Sequence, residues 1–307
     1  MTTDEKLAAI LAAVQTDPGN RGLARDPHDN LFTTTEGDFQ TACRSIAEHP
    51  HPSLDITTGF FIPSATPPAF ETDGPLGAVF LLRTLTPLSA AVAVSADTDF
   101  VSAVSAALKF CGYNEPTIAG FGRAENPDWY VVAPKQWWPG LDCTHIVAIE
   151  KVGQAGDGRY YSMRGQDIST YSRADSYPLH PQPFPNSIGI GDGGNEIGMG
   201  KIPHETIVKN IPNGDFIHCR VPTDHLIVCG VSNWGAYALA AGVYVLRGVK
   251  PPGDLFDPDR EREILEVMVR EGPLVDGVTG QQTATVDGLS WDEYAAPLLR
   301  IREILET

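Results

Sequence analysis

Short apolar runs alternate along the chain with longer segments whose apolar residues recur at helical spacing. The runs rich in β-branched and aromatic residues predict strands over residues 54–62, 90–95, 115–121, 129–132, 143–152, 188–190, 216–221 and 226–229. The amphipathic segments predict helices over residues 4–14, 37–48, 78–85, 100–110, 236–246, 257–270 and 290–305. The expected N-caps are Asp4, Ser232, Asp257 and Ser290. This alternation predicts a single α/β domain over residues 1–307, with a largely parallel sheet flanked by helices in a Rossmann-like three-layer arrangement.

The acidic composition limits the partners that this protein can bind. Asp and Glu total 39 residues against 22 Lys and Arg, which gives a formal net charge of −17 at pH 7. This charge argues against nucleic acids and anionic membranes, whereas a small acidic metabolite can bind where an Arg or a metal ion supplies positive charge. The N-terminal segment lacks signal-peptide features, and no apolar run reaches the roughly 18 residues of a membrane span. We expect a cytoplasmic protein, with the region after residue 250 as a candidate surface for homo-oligomer assembly.

One stretch, residues 187–201, joins the end of a buried strand to a loop that is rich in glycine and acidic residues. Its six glycines allow positive φ angles and a close approach of the backbone to a ligand, and Gly193 and Gly194 are candidate substrate contacts. Its oxygen-bearing side chains are Asp192, Asn195 and Glu196. Because ligands bind at the carboxyl ends of strands in open α/β sheets, the stretch predicts a binding site. Its carboxylates would repel a phosphate, so it is not a dinucleotide-binding loop.

Acidic side chains also follow other predicted strands. The full set is Glu71, Asp73, Asp97, Asp99, Glu150, Asp192 and Glu196. Because the ends of parallel strands meet at one edge of a sheet, we expect several of these carboxylates to lie close together. Their repulsion is relieved by protonation or by a cation, and oxygen ligands without His or Cys favour Mg²⁺ or Mn²⁺. We expect Asp73, Asp192 and Glu196 to bind the metal, whereas Asp97 and Asp99 are equally well explained as helix caps or loop residues.

Few cations are placed to bind an anionic substrate. Arg164, beside a glycine, and Lys201, at the end of the glycine-rich loop, are the candidates, and a plain surface position explains either of them equally well. Arg21 is one of the few cations near the start of the chain. Asn233, at the start of a predicted helix, and Thr72, in an acidic loop, are further candidate substrate contacts. No Ser-His-Asp or Cys-His order stands out, so a nucleophilic hydrolase is not expected.

Six segments carry a family pattern when they are taken together. They are residues 58–60, 71–78, 148–150, 163–165, 188–200 and 232–236. The longest, Ile188-Gly-Ile-Gly-Asp-Gly-Gly-Asn-Glu-Ile-Gly-Met-Gly200, is highly specific, and the others are individually weaker. In this order the segments resemble the D-glutamate cyclase-like C-terminal domain family. Animal members carry a hydratase-like domain before this one, so we expect a stand-alone member.

The resemblance implies a hydro-lyase that closes D-glutamate to 5-oxo-D-proline with loss of water. A divalent cation bound by Asp73, Asp192 and Glu196 would act as a Lewis acid on the γ-carboxylate. Glu150 would be the general base for the α-amine, and Arg164 or Lys201 would hold the α-carboxylate. The expected catalytic residues are Glu150, Asp192, Asn195 and Glu196.

Two other functions fit the same residues. A metal-dependent phosphohydrolase would use the carboxylates and Mg²⁺ or Mn²⁺ to clamp a phosphate and activate water. A non-catalytic module would bind a small acidic metabolite at the glycine-rich loop without turnover.

Overall fold

The computed structural model describes residues 1–114, 118–121, 130–131, 143–172 and 186–307. The first residues of the predicted strand 115–121 and both ends of the predicted strand 129–132 lie outside this part of the chain. The described strands are β1 (Ser53–Gly59), β2 (Phe61–Ile62), β3 (Ala69–Glu71), β4 (Ala91–Asp97), β5 (Ile118–Phe121), β6 (Tyr130–Val131), β7 (His145–Lys151), β8 (Ser187–Gly191), β9 (His225–Val228) and β10 (Leu274–Val275).

Seven of the described strands form the main sheet, in the order β6-β5-β4-β1-β7-β8-β9. Six of them run parallel, and the edge strand β6 is antiparallel to β5. The chain adds β4 and β5 on one side of β1 and places β7, β8 and β9 on the other, so the strand order reverses between β1 and β7. Ligands of open α/β sheets bind outside the carboxyl ends of the strands at such a switch point.

Helices lie against both faces of this sheet. Those of the described residues are α1 (Thr3–Val14), α2 (Leu31–Thr34), α3 (Asp38–Ala47), α4 (Pro75–Leu85), α5 (Val101–Phe110), α6 (His204–Asn210), α7 (Gly214–Ile217), α8 (Ser232–Arg247), α9 (Pro258–Glu271) and α10 (Trp291–Glu306). The large core on one face contains Ile56, Ile149 and Ile190 of the sheet together with α4 and α8. On the other face, Leu226 and Val228 pack with apolar residues of α6 and α7. The predicted α/β three-layer arrangement is confirmed.

Helix α8 is the central helix of the large core. Every residue from Ser232 to Tyr244 is buried, and α8 packs against α1, α3 and α4. A helix that is apolar on all sides is stable only where the rest of the protein surrounds it. None of the described helices combines the length and the apolar composition needed to span a membrane.

A second, three-stranded sheet in the order β10-β3-β2 lies beside the carboxyl edge of the main sheet. Its residues Ile62, Ala69 and Val275 pack with Phe60 and Val152, which directly follow β1 and β7. The loops that leave β3 and β10 are therefore brought to the switch point.

The structure corrects several local predictions. Helix α1 is capped by Thr2, whose hydroxyl accepts a backbone N–H of the first turn, and Asp4 lies within the helix. The strand predicted over 54–62 is interrupted at Gly59, because its φ of 119° turns the chain away from the main sheet. The strand predicted over 216–221 is wrong, because the segment starts in α7. The backbone N–H groups of the residues that follow α7 donate to carbonyls in two loops and not to a neighbouring strand.

Gly235, in the first turn of α8, packs directly against the sheet. A Cβ there would lie 2.8 Å from the Cys229 Sγ and would overlap a methyl group of Ile190. Alanine is better than glycine in a helix by about 1 kcal/mol, but overpacking of a core costs about 1–3 kcal/mol. We therefore expect Gly235→Ala to lower the free energy of unfolding, measured by urea denaturation with circular dichroism.

Gly253→Ala is the matched control, because no atom lies within 4 Å of the added Cβ and the backbone has no positive φ. Its free energy of unfolding should change by less than about 0.5 kcal/mol. Equal stability of the two variants would contradict the close packing of α8 on β8 and β9.

Candidate active site

Six acidic side chains, all largely buried, lie near the switch point at the carboxyl edge of the main sheet. They are Glu71, Asp73, Glu150, Asp192, Glu196 and Asp287. Four separate parts of the chain supply them: β3 with its following loop, the end of β7, the glycine-rich loop after β8, and the loop before α10. We call these six residues the carboxylate cluster.

Glu150 reaches the cluster because a β-bulge turns it out of its strand. Thr58 of β1 pairs with Ile149, and the next residue of β1 pairs with Lys151. Glu150 is therefore left out of the ladder. Its φ of 43° lies in the left-handed region, which costs an L-residue about 1–3 kcal/mol. Bulges often re-aim a side chain beside a functional site. The Glu150 carboxylate accepts a hydrogen bond of 2.5 Å from the hydroxyl of Ser232 at the start of α8.

Asp73 holds the N-terminus of α8 from outside that helix. Its two carboxylate oxygens accept the backbone N–H groups of Ser232 and Asn233, each at 2.8 Å. One of them also accepts the N–H of Gly74 at 3.0 Å. An anion at a helix N-terminus satisfies unpaired donors and is favoured by the helix dipole. Ser232 is therefore the first residue of α8 and not its N-cap, which corrects the sequence prediction.

The glycine-rich loop after β8 folds its oxygens inward. The Glu196 carboxylate accepts the backbone N–H groups of Asp192 at 3.3 Å and Gly194 at 2.7 Å. Asn195 donates through its amide nitrogen to a backbone carbonyl, and its buried Oδ1 has no hydrogen-bond partner among the described residues. A Cβ on Gly193 would lie within 3.0 Å of both Asn195 Oδ1 and Glu196 Oε1. Met163 Sδ lies still nearer to the same position, at 2.6 Å, so glycine here lets the three side-chain atoms approach one another.

Among the described residues, only Arg21 forms an ion pair with a member of the cluster. Its guanidinium nitrogens lie 3.1 Å from an oxygen of Asp192 and 2.9 Å from an oxygen of Asp287. The guanidinium also donates to the carbonyl of Gly230 at 3.1 Å. The carboxylate of Asp17 accepts three consecutive backbone N–H groups that begin at Arg21, and so fixes the loop. A segment that precedes the sheet in sequence thus supplies the positive charge.

Removal from water dominates the electrostatics of the cluster. Burial and repulsion by neighbouring carboxylates raise the pKa of Glu71 and Glu150 well above their usual range. Burial also raises the pKa of Asp192 well above its usual range, although Arg21 acts in the opposite direction. The pKa of Asp73 is raised to about 7, chiefly by burial, despite its backbone hydrogen bonds. Burial alone would lower the pKa of Arg21, but the surrounding carboxylates outweigh it and raise that pKa.

The carboxylates form two groups, each with three ligand oxygens within 4.8 Å of one another. We call Asp73, Asp192 and Asp287 the aspartate group, and Glu150, Asp192 and Glu196 the glutamate group. Asp192 belongs to both. The three acids expected from the sequence to share one metal are thus divided between the groups. Oxygen-only ligand sets of this kind suit hard divalent cations such as Mg²⁺ and Mn²⁺.

A cavity of about 140 Å³ opens onto the cluster. Its lining includes Arg21, Glu71, Glu150, Asp192, Asp287 and Arg164. Arg164 is exposed, and its guanidinium donates to the Ser64 hydroxyl at 3.2 Å and to the Val278 carbonyl at 3.1 Å. This volume is below that of drug-sized binding pockets, so the cavity is too small for a drug-sized ligand.

Other residues expected to contact a substrate have different partners. The Lys201 ammonium lies 2.6 Å from a carboxylate oxygen of Asp38 and does not line the cavity. The side-chain oxygen of Asn233 accepts two backbone N–H groups at the start of α4, and the Thr72 hydroxyl donates to a backbone carbonyl. Gly193 and Gly194 instead shape the glycine-rich loop. Asn233, Thr72 and the two glycines therefore support the local backbone of the site. Of the two cations expected to bind the substrate, Arg164 borders the cavity and Lys201 does not.

Sequence reasoning missed two residues of the site. Asp287 lies far along the chain from the other acids, and its only local signal is the Asp-Gly pair before α10. Arg21 was visible as a rare cation between turn-forming residues, but nothing in the sequence connects it to Asp192.

The fold and the cluster define an α/β protein with buried carboxylates beside a small cavity at the switch point of its sheet. The family model described as D-glutamate cyclase-like, C-terminal, matches residues 10–302. The chain belongs to this family. It is 32% identical over 334 residues to the protein named D-glutamate cyclase, mitochondrial, of Homo sapiens. That alignment covers 98% of this chain and 52% of the human protein, so the chain spans about half the length of this relative.

Arg21→Met should strongly destabilise the protein, because two buried carboxylates would lose their ion-pair partner. Removal of one side of a buried pair costs about 3–5 kcal/mol. The free energy of unfolding, measured by urea titration of chelator-treated protein at neutral pH, checks this expectation.

Arg300→Met is the control for the loss of an arginine. Arg300 pairs with Glu303 at 2.8 Å on the surface of α10, where both side chains are exposed. Loss of such a pair costs less than about 1 kcal/mol. If the two variants lose equal stability, Arg21 does not neutralise a buried cluster.

Metal-free protein should lose stability as the pH rises towards neutrality. The pKa of Asp73 rises from 3.8 to about 7 in the folded protein, so the folded state binds this proton more tightly than the unfolded chain does. The resulting stabilisation is complete below about pH 4 and is lost as the pH rises through about 7. The raised pKa values of Glu71, Glu150 and Asp192 act in the same direction.

Urea midpoints at about pH 5 and about pH 8, with chelator present, test this pH dependence. Asp73→Asn should reduce the difference between the two midpoints, because the amide does not titrate. A wild-type midpoint that is higher at the alkaline pH would show that the buried carboxylates are compensated in some other way.

Proposed function

We propose that this protein is a divalent-cation-dependent enzyme that closes D-glutamate to 5-oxo-D-proline with loss of water. The supporting observation is the buried carboxylate cluster beside a small cavity, in a chain that belongs to the D-glutamate cyclase-like family. The human relative is named a D-glutamate cyclase, and this chain aligns with about half of it. We assign the cyclisation to the part that the two proteins share.

Arg164 supports a small acidic amino acid as the substrate. An arginine has five N–H donors, and the two contacts of Arg164 leave others available at the mouth of the cavity. A guanidinium binds a carboxylate through two parallel hydrogen bonds, so Arg164 is the residue that holds the α-carboxylate. Lys201 is left out of this role because its ammonium is held by Asp38.

Cyclisation forms a bond between the amine nitrogen and the carbon of the γ-carboxylate, and it breaks one carbon–oxygen bond of that carboxylate. The ammonium group loses two protons, and the departing oxygen gains two protons and leaves as water. A bound divalent cation would supply Lewis-acid polarisation of the γ-carboxylate. The carboxylate cluster would hold that cation, and the protein must also supply a group that moves protons.

Glu71 suits this proton transfer better than Glu150, which is the general base expected from the sequence. Glu71 lines the cavity, belongs to neither group of ligand oxygens, and has a pKa raised by burial. A carboxyl group with a raised pKa accepts a proton from an amine and returns it to an oxygen more readily at neutral pH. Glu150, in contrast, belongs to the glutamate group and already accepts a hydrogen bond from Ser232.

Purified protein with D-glutamate and Mn²⁺ or Mg²⁺ should form 5-oxo-D-proline, and a chelator should abolish the reaction. Chiral chromatography with mass detection measures the product. Asp192→Asn should reduce the turnover to background, because this carboxylate belongs to both oxygen groups. Lys201→Gln is the control and should keep wild-type turnover, since Lys201 does not line the cavity.

Three results would contradict the proposal. Unchanged turnover by the Asp192→Asn variant would remove this residue from the mechanism. Release of phosphate from a generic phosphomonoester, without 5-oxo-D-proline, would favour a phosphohydrolase. A higher melting temperature with D-glutamate but no product would favour a non-catalytic binding module.

A further inference from the structure

The two oxygen groups share Asp192 but differ in the charges around them. In the aspartate group, the Arg21 guanidinium lies 3.1 Å from Asp192 and 2.9 Å from Asp287. The third member, Asp73, accepts three backbone N–H groups at the start of α4 and α8. This group therefore already has a cation and a set of hydrogen-bond donors within the protein.

The glutamate group has no such cation. Among the described residues, no ion pair reaches Glu150 or Glu196, whose oxygens accept hydrogen bonds from the Ser232 hydroxyl and two backbone N–H groups. The third member, Asp192, has its ion pair with Arg21 on the side of the aspartate group. Three carboxylates within 4.8 Å of one another thus share a single guanidinium that contacts only one of them.

Asn195 provides a second observation that does not depend on charge. Its buried Oδ1 has no hydrogen-bond partner within the part of the chain that the structure describes, although its Nδ2 donates to a backbone carbonyl. Both Asn195 Oδ1 and Glu196 Oε1 lie within 3.0 Å of the position that a Cβ of Gly193 would take. A buried amide oxygen without a donor is unusual in a folded protein, and amide oxygens are common ligands of hard cations.

We infer that the carboxylate cluster binds one divalent cation, held by the glutamate group and the Asn195 amide oxygen, and that the Arg21 guanidinium replaces a second cation in the aspartate group. This inference rests on the proposed function only in that the same cation would serve the reaction. It also revises the metal ligands expected from the sequence: Glu150 replaces Asp73, whose oxygens hold α8.

The spacing of the glutamate group suits a single small cation. Ligands on opposite sides of an octahedral Mg²⁺, at about 2.1 Å each, lie about 4.2 Å apart. Oxygens that already lie within 4.8 Å of one another need only a small contraction to bind it. Three carboxylate oxygens and one amide oxygen leave two octahedral positions for water or a substrate carboxylate.

Titration of the metal-free protein with Mn²⁺ alone tests the stoichiometry. Wild-type protein should bind one Mn²⁺ per chain in calorimetry, and its electron paramagnetic resonance spectrum should be that of an isolated ion. Arg21→Ala removes the guanidinium and opens the aspartate group, so this variant should bind two ions. The two ions should be magnetically coupled, because Asp192 would bridge them.

A second pair of variants keeps Arg21 and therefore keeps the stability that it provides. Glu196→Gln changes the glutamate group, and it should weaken Mn²⁺ binding on the order of tenfold or more. Asp287→Asn is an equally conservative change in the aspartate group, and it should leave the Mn²⁺ affinity close to the wild-type value.

Several outcomes would overturn the inference. They are two ions or none in the wild type, one ion in folded Arg21→Ala, and equal losses of affinity in Glu196→Gln and Asp287→Asn. The titration contains no substrate, so its result is separate from that of the activity assay. One bound Mn²⁺ without turnover of D-glutamate would uphold the metal site and contradict the proposed function, whereas turnover by protein that binds no Mn²⁺ would contradict the metal site.

Discussion

The site depends on the contact of Arg21 with Asp192 and Asp287. Among the described residues, Arg21 is the only cation that forms an ion pair with any of the six buried carboxylates. Carboxylates that leave water must be protonated, paired or bound to a metal. The raised pKa values of Glu71 and Glu150 favour their protonated forms, and Arg21 provides the ion pairs. An arginine keeps its charge at every physiological pH and cannot dissociate from the protein, so it provides a permanent part of the compensation.

Backbone N–H groups also compensate the buried carboxylates, and their position bears on the choice of substrate. The N-terminus of a helix after a strand is the usual phosphate site of doubly wound folds. In this protein the N-terminus of α8 is occupied by Asp73, which accepts the N–H groups of Ser232 and Asn233. A phosphate would have to displace a buried carboxylate of the same chain. This arrangement argues against the phosphohydrolase and favours a substrate whose carboxylate is bound at Arg164, away from α8.

Much of the fold could be predicted from the sequence, because apolar periodicity reports directly on which faces are buried. The parallel sheet, most of its helices and the convergence of acids at strand ends follow from that logic. The role of Arg21 and the position of Asp287 could not be predicted, because they depend on loops at both ends of the chain that meet only in the folded protein. Glu150 was found as an acid at a strand end, but the bulge that aims it, with a φ of 43°, leaves no mark on the apolar pattern.

The division of the cluster into two groups follows from how each carboxylate is held. Asp73 and Asp287 are bound by groups of the protein that are always present, namely backbone N–H groups and a guanidinium. In the part of the chain that the structure describes, Glu150 and Glu196 receive hydrogen bonds and no ion pair, so either protonation or an added cation must compensate them. A site in which one half is balanced permanently can keep its shape without an added cation, and in our proposal the other half binds one. Asp192, which belongs to both halves, is the residue through which the state of one half affects the other.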